Sequence, residues 1–99
     1  MALYAQPQDA AAFDRHYEAT HIKLGLAMPG LRSFSGTHPA TGPDGTPAAY
    51  HFIAVLTFDD QQSLEAAAAS PEGQAAVADF ANFAGAGVTL LIGPTTQYL

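Results

Sequence analysis

Apolar positions mark out four short extended runs and two helical stretches along the chain. Residues 50–58, Tyr-His-Phe-Ile-Ala-Val-Leu-Thr-Phe, are apolar on both alternating faces, with His51 set inside the run. A strand apolar on both faces belongs where both are covered. Ala2 to Gln6 is a shorter strand closed by Pro7, Leu31 to Thr37 reads as a second strand, and Val88 to Ile92 as a fourth, ended by Gly93-Pro94.

Between the first two strands, apolar and aromatic residues recur at helical spacing from about Ala10 to Leu24 or Leu26. Phe13, His16, Tyr17, Thr20, His21 and Leu24 share one side, and Asp14, Arg15 and Glu18 the other. His21 sits at the edge of this stripe and Ile22 off it. Asp9 is placed to cap the helix, and Gly25 with Pro29-Gly30 ends it. The segment His38 to Ala48, rich in proline and glycine around Pro43-Asp44-Gly45, is a loop joining the second and third strands. A second helical stretch starts with Asp59 and Gln62 at capping-box spacing, continues through alanines 66–69, and restarts at Ser70-Pro71. Val77, Phe80, Ala81 and Ala84 are its expected buried side, and Asp79 is expected to be exposed.

The order strand, helix, strand, strand, helix, strand is the split βαβ plan: an α+β, ferredoxin-like βαββαβ domain spanning residues 1–99. Its helices cover one face of the sheet. By parity, Phe52, Leu56 and Phe58 meet the helices, while His51, Ile53, Val55 and Thr57 face away. The free face then calls for a second copy of the chain, and an enclosed, mostly apolar chamber between the two.

Composition agrees. Apolar residues make up 48% of the 99 and charged residues only 12%, about half the usual share, so a lone protomer would leave much apolar area wet. Cysteine is absent, which excludes disulfides and thiolate chemistry. The net charge is −6, and Arg15, Lys23 and Arg32 are the only bases; nucleic acid and anionic membranes need a basic stripe that is missing here. No run reaches the length of a membrane span and no signal peptide is evident, so a cytoplasmic home is expected.

Chemistry centres on histidine, whose pKa suits proton transfer near neutrality. Tyr17 and His21 are helix neighbours at a spacing of four, and Phe34 and His51 come from adjacent strands. Two readings stand side by side: Tyr17 and His21 as half-buried packing residues with polar tips at the surface, or as members of a pocket. A buried His51 needs a partner, structural or ligand. Arg32 shares parity with Phe34, as a chamber-mouth carboxylate anchor or a solvated strand end. His16 lies on the packing stripe and His38 at the start of the loop. No Glu-x-x-His or His-x-x-x-His spacing exists, so no metal or other cofactor is expected unless the fold itself gathers ligands.

Phe13-x-x-x-Tyr17-x-x-x-His21, Met28-Pro29-Gly30-Leu31, Tyr50-His51 opening an apolar strand, Phe58-Asp59-Asp60, Ser70-Pro71-Glu72-Gly73-Gln74 and Asn82-Phe83 follow one another in an order that resembles the EthD-like family. The resemblance spans nearly the whole chain. It implies a ferredoxin-like protomer in a homodimeric α/β barrel, akin to methylmuconolactone methylisomerases and polyketide dehydratases. In the isomerase-like members a helix-1 histidine and a third-strand histidine line the pocket, and these match His21 and His51, with Tyr17 one turn earlier. Phe34 stands where a tyrosine is common, and cysteine-dependent isomerase chemistry has no residue to use.

The reading that follows is a cofactor-independent isomerase, dehydratase or lactone-type enzyme for a small apolar oxygenated metabolite. His21 and His51 would be acid and base, and Tyr17 would orient or donate. Phe34, Phe83, Ile53 and Val55 would wall the site, with Arg32 an optional anchor. A non-catalytic binding or accessory protein for a small hydrophobic metabolite is the alternative. A dimeric-barrel monooxygenase, cofactor-free or haem-binding, is a third.

Overall fold

A computed structural model describes all 99 residues. The elements are β1 (Ala2–Ala5), α1 (Ala10–His16), a single π-helical turn (Tyr17–His21) running into α2 (Ile22–Leu26), β2 (Ser33–Thr37), β3 (Tyr50–Thr57), α3 (Gln61–Ala69), α4 (Pro71–Phe83) and β4 (Val88–Leu90). The strands form one antiparallel sheet in the order β2-β3-β1-β4. This is the ferredoxin-like arrangement expected from the element order.

Local chemistry sets the boundaries. Asp9 Oδ1 accepts from the Ala12 N–H at 3.0 Å and caps α1. Asp60, one residue after the expected Asp59, caps α3 by accepting from the Ser63 N–H at 2.7 Å. Ser70 caps α4, with its hydroxyl accepting from the Gly73 N–H at 3.0 Å and Pro71 in the first turn. β2 and β4 are shorter than the apolar runs that mark them: regular ladder pairing covers Ser33–Thr37 and Val88–Leu90, and beyond it Leu91 still bonds the backbone of Met1.

Alternation places Ala2, Tyr4, Phe52 and Ala54 toward the helices, where all four are buried with Phe13 and Tyr17 in the core. Tyr4 lies at its centre, with ring centroids 5.3 Å from Phe13, 5.7 Å from Tyr17 and 5.6 Å from Phe83. Such aromatic contacts add about 0.5–1.5 kcal/mol each beyond their buried area. Leu3, Ile53, Val55 and Thr57 point the other way and are half-buried. The chain measures 40 × 35 × 18 Å, a slab of one helical layer on one sheet.

The inward side of α4 differs in part from expectation. Phe80 and the following Ala84 pack against the core as expected, but Gly73, Ala76 and Asp79 are the fully buried residues of α4, Ala81 is exposed and Val77 is 55% exposed. Gly73 decides this phase: a Cβ there would strike the backbone carbonyls of Ala67 and Ala68 at the α3–α4 crossing. Only a glycine lets the two helices approach so closely, and that contact rotates Asp79 inward.

His51 also departs from parity. Tyr4 pairs with Phe52 and Ala5 with Tyr50, so the ladder skips His51, which is the extra residue of a β-bulge. A bulge re-aims the side chain it carries. His51 therefore packs its ring 4.9 Å from that of Phe13 on α1, on the helix side of the sheet and not on the free face.

Candidate functional site

The helix before β2 sets out Phe13, Tyr17, His21 and Gly25 as buried residues four apart. In a regular α-helix such a row drifts by about 40° per step. The wider π-helical turn from Tyr17 to His21 takes up part of that drift and keeps Tyr17 and His21 over the sheet. Tyr17 is 3% exposed and His21 5%, so both are buried outright, not half-buried with wet tips. Their ring centroids are 5.1 Å apart.

His21 Nδ1 donates to Asp79 Oδ2 at 2.9 Å. The same carboxylate receives His16 Nε2 at 2.9 Å and the Asn82 side-chain amide at 2.9 Å. Asp79 is itself 5% exposed, a correction to the expectation of an exposed residue. Burial works against its charge, but the bonds from Asn82, His21 and His16 outweigh it and hold the carboxyl below the usual range. Burial pushes His21 below an ordinary imidazole, against the pull of Asp79. His21 is thus neutral near pH 7, with its proton on Nδ1 and its Nε2 lone pair free. Burial lifts the Tyr17 phenol to about 12, against a smaller pull from the nearby Tyr4 hydroxyl, so it stays protonated, and its own hydroxyl is buried without a well-formed hydrogen bond.

Tyr17 and His21 line an apolar pocket of about 160 Å³ between the helices and the sheet, together with Gly25, Met28, Phe34 and Phe80. Its size suits a one-ring molecule; an apolar cavity of about 150 Å³ in another protein accepts benzene. Gly25 makes room for the wall, since a Cβ there would lie 2.5 Å from the Phe34 ring. A larger hollow of about 480 Å³, between the start of α1 and the end of α4, includes Phe83 and no histidine.

The candidates named from sequence therefore divide. Tyr17, His21 and Phe34 converge on the small pocket. Phe83 backs the histidines, 4.7 Å from the His21 ring and stacked on His16. Ile53 and Val55 lie on the opposite sheet face. Arg32 is exposed and paired with Asp59 at 2.9 Å. His51 Nε2 donates to Asp14 Oδ1 at 2.8 Å, and His38 Nε2 reaches the same oxygen at 3.1 Å. All four histidines thus rest on two carboxylates, and only His21 opens onto the pocket. Asp79 and Gly25 were missed from sequence. Gly73, Ala76 and Phe80 at helical spacing, with Asp79 and Asn82 three apart beside them, were the available signal.

Comparison with known proteins places these residues in context. The model of the EthD domain matches residues 5–87. An uncharacterized 11.0 kDa protein from the thcB-thcC intergenic region of Rhodococcus erythropolis is 42% identical over 89 residues, covering 90% of this chain and 85% of that one. The crystal structure of an EthD (ethyl tert-butyl ether D) family protein from Bacillus halodurans C-125 is 39% identical. It superposes with a TM-score of 0.90 over 96% of this chain and 94% of its own. HapK from Hahella chejuensis, 16% identical with a TM-score of 0.62 over 97% and 94% of the two chains, shares the fold. No helix is long and apolar enough to cross a membrane.

Proposed function

The chain belongs to the EthD family, and from that membership and its helix-side pocket we propose that it is a cofactor-independent proton-transfer enzyme for a small, oxygenated, partly apolar molecule. One observation carries this reading. An oriented neutral imidazole and an unpartnered phenol meet at the same apolar cavity.

In this proposal the substrate carbonyl accepts a hydrogen bond from the Tyr17 hydroxyl. His21 Nε2 removes a proton from the adjacent carbon, and the electron pair of that C–H bond moves toward the carbonyl oxygen. The imidazolium so formed keeps its Nδ1–H bond to Asp79, whose negative charge stabilises it. Return of the proton to a different carbon gives isomerisation. Its delivery to a departing β-oxygen gives elimination of water or opening of a lactone. Phe34 and Phe80 keep water away, which strengthens each hydrogen bond within. Asp79 acts through His21 and is a positioning residue.

His51 has no part in this step, because its imidazole rests on Asp14 across the aromatic core from the pocket. A second copy of the chain covering the free sheet face belongs to the same proposal. It is supported by Leu3, Ile53 and Val55, apolar side chains on that face that the single chain leaves half-buried.

The test is turnover of a panel of small lactones and phenolic ketones by the wild type and by His21→Gln. Loss of a positioned acid–base group lowers the rate about 10²–10⁴-fold, and that loss is expected here. Equal turnover by the two proteins contradicts the assignment, and saturable binding without product by the wild type reassigns the pocket to a carrier.

A further inference from the structure

We propose that Asp14, His38 and His51 form a binding site for one divalent transition-metal ion. The three residues come from separate parts of the fold: α1, the residue following β2, and the bulge of β3. Each offers one ligand atom, and the three atoms lie within 4.8 Å of one another. Both imidazoles turn Nε2 toward a single carboxylate oxygen, at 2.8 Å for His51 and 3.1 Å for His38. An ion bound at about 2.0–2.2 Å from nitrogen and oxygen needs its ligands about this close to one another, so small side-chain rotations suffice to admit it.

The donor set is chemically apt. Two imidazoles and a carboxylate suit zinc, cobalt, nickel or ferrous iron, and select against magnesium and calcium, which prefer oxygen alone. The surroundings fix the ligands. The Phe13 ring stands edge-on to His51 with centroids 4.9 Å apart, and Phe52 lies 4.7 Å from His38. The His51 side chain is 13% exposed, whereas His38 and Asp14 are 53% and 42% exposed. The site thus has a buried floor and an open side, and coordination positions remain for water or an exchangeable ligand.

The fold spends a β-bulge on bringing His51 here; in regular register its ring would lie on the other face of the sheet. The spacing of the three residues is unlike any local metal motif, and only the tertiary structure joins them. Neither imidazole Nδ1 has a protein acceptor, so the ion would be held less firmly than in a site whose histidines are buttressed.

The test uses tag-free, chelator-treated full-length protein titrated with Co²⁺ and with Zn²⁺, read by calorimetry and by visible absorption of the cobalt form. The expected result is one ion per chain, with affinity lowered at least tenfold in His38→Gln, in His51→Gln and in Asp14→Asn, and unchanged in His21→Gln. His38→Gln is decisive if the more buried His51 variant folds poorly. No binding, or binding that survives in folded His38→Gln, overturns the proposal.

Discussion

His21 Nδ1 lies 2.9 Å from Asp79 Oδ2, and both side chains are almost wholly removed from solvent. The bond fixes which imidazole nitrogen carries the proton. It joins the π-helical turn to α4, so a contact between two elements, not a local motif, prepares Nε2 for chemistry.

The pair has a signature in acid. Because burial lowers the His21 pKa, the unfolded chain binds a proton that the folded one refuses. The contribution of neutral His21 is present above the unfolded value near 6.5 and is lost as pH falls through that value toward the lower folded one. Asp79 adds a later loss: its carboxyl is held low, so its contribution persists above about 3.8 and disappears as pH falls through the folded value. Thermal unfolding followed from pH 7.5 to 5 should show a falling Tm in the wild type and a shallower slope in His21→Gln.

Asp79→Ala should destabilise the fold by about 1–3 kcal/mol, because it leaves the buried Nδ1–H of neutral His21 without an acceptor, with His16 and Asn82 losing theirs as well. Asp79→Asn keeps an acceptor oxygen and should cost less. Urea unfolding of the two variants measures the difference, and equal stability of Asp79→Ala and wild type contradicts the buried network.

Tyr17→Phe separates function from stability. The hydroxyl lies near that of Tyr4 but makes no well-formed hydrogen bond, and a buried unsatisfied polar group costs about 1–3 kcal/mol. Removing it should leave the Tm unchanged or higher, while ligand binding and turnover fall. A lower Tm would mean that the phenol makes a bond in the folded protein.

Gly73→Ala should destabilise by about 1–3 kcal/mol, since the added methyl meets backbone carbonyls at the α3–α4 crossing, which cannot swing aside as a side chain would. Gly25→Ala meets the far edge of the Phe34 ring and should be milder, with a smaller pocket. Differential scanning calorimetry orders the two.

A particle of about twice the 10.3 kDa chain mass is expected from light scattering at micromolar concentration. Val55→Asp, on the uncovered face, should shift it toward the single chain.

Element order, the Asp9 and Ser70 caps and the inward set of Phe52 and Leu56 were legible in the sequence, because each follows from local periodicity or from one residue's own hydrogen bond. The cap at Asp60 lay one residue from its expected place, since two adjacent aspartates offer the same chemistry. The displacement of His51 was not legible: a bulge is a property of the ladder between β1 and β3, and alternation within β3 alone predicts the wrong face. Burial of Asp79 was hidden for a related reason. Its phase depends on how closely α4 approaches α3 at Gly73, and a carboxylate among alanines reads as solvated until its three donors are brought up from elsewhere. Tyr17 and His21 were legible as a pair because they share a helix row; Phe34 was expected beside His51 in a chamber on the free sheet face, and the structure sets it on the helix side with Tyr17 and His21 instead.

The most direct test is the protonation state of His21, read by long-range ¹H–¹⁵N NMR of histidine-labelled protein at pH 7. The account predicts a neutral ring protonated on Nδ1, with an unprotonated Nε2, and loss of that tautomer preference in Asp79→Ala. A ring protonated on Nε2, or an imidazolium at that pH, would contradict it.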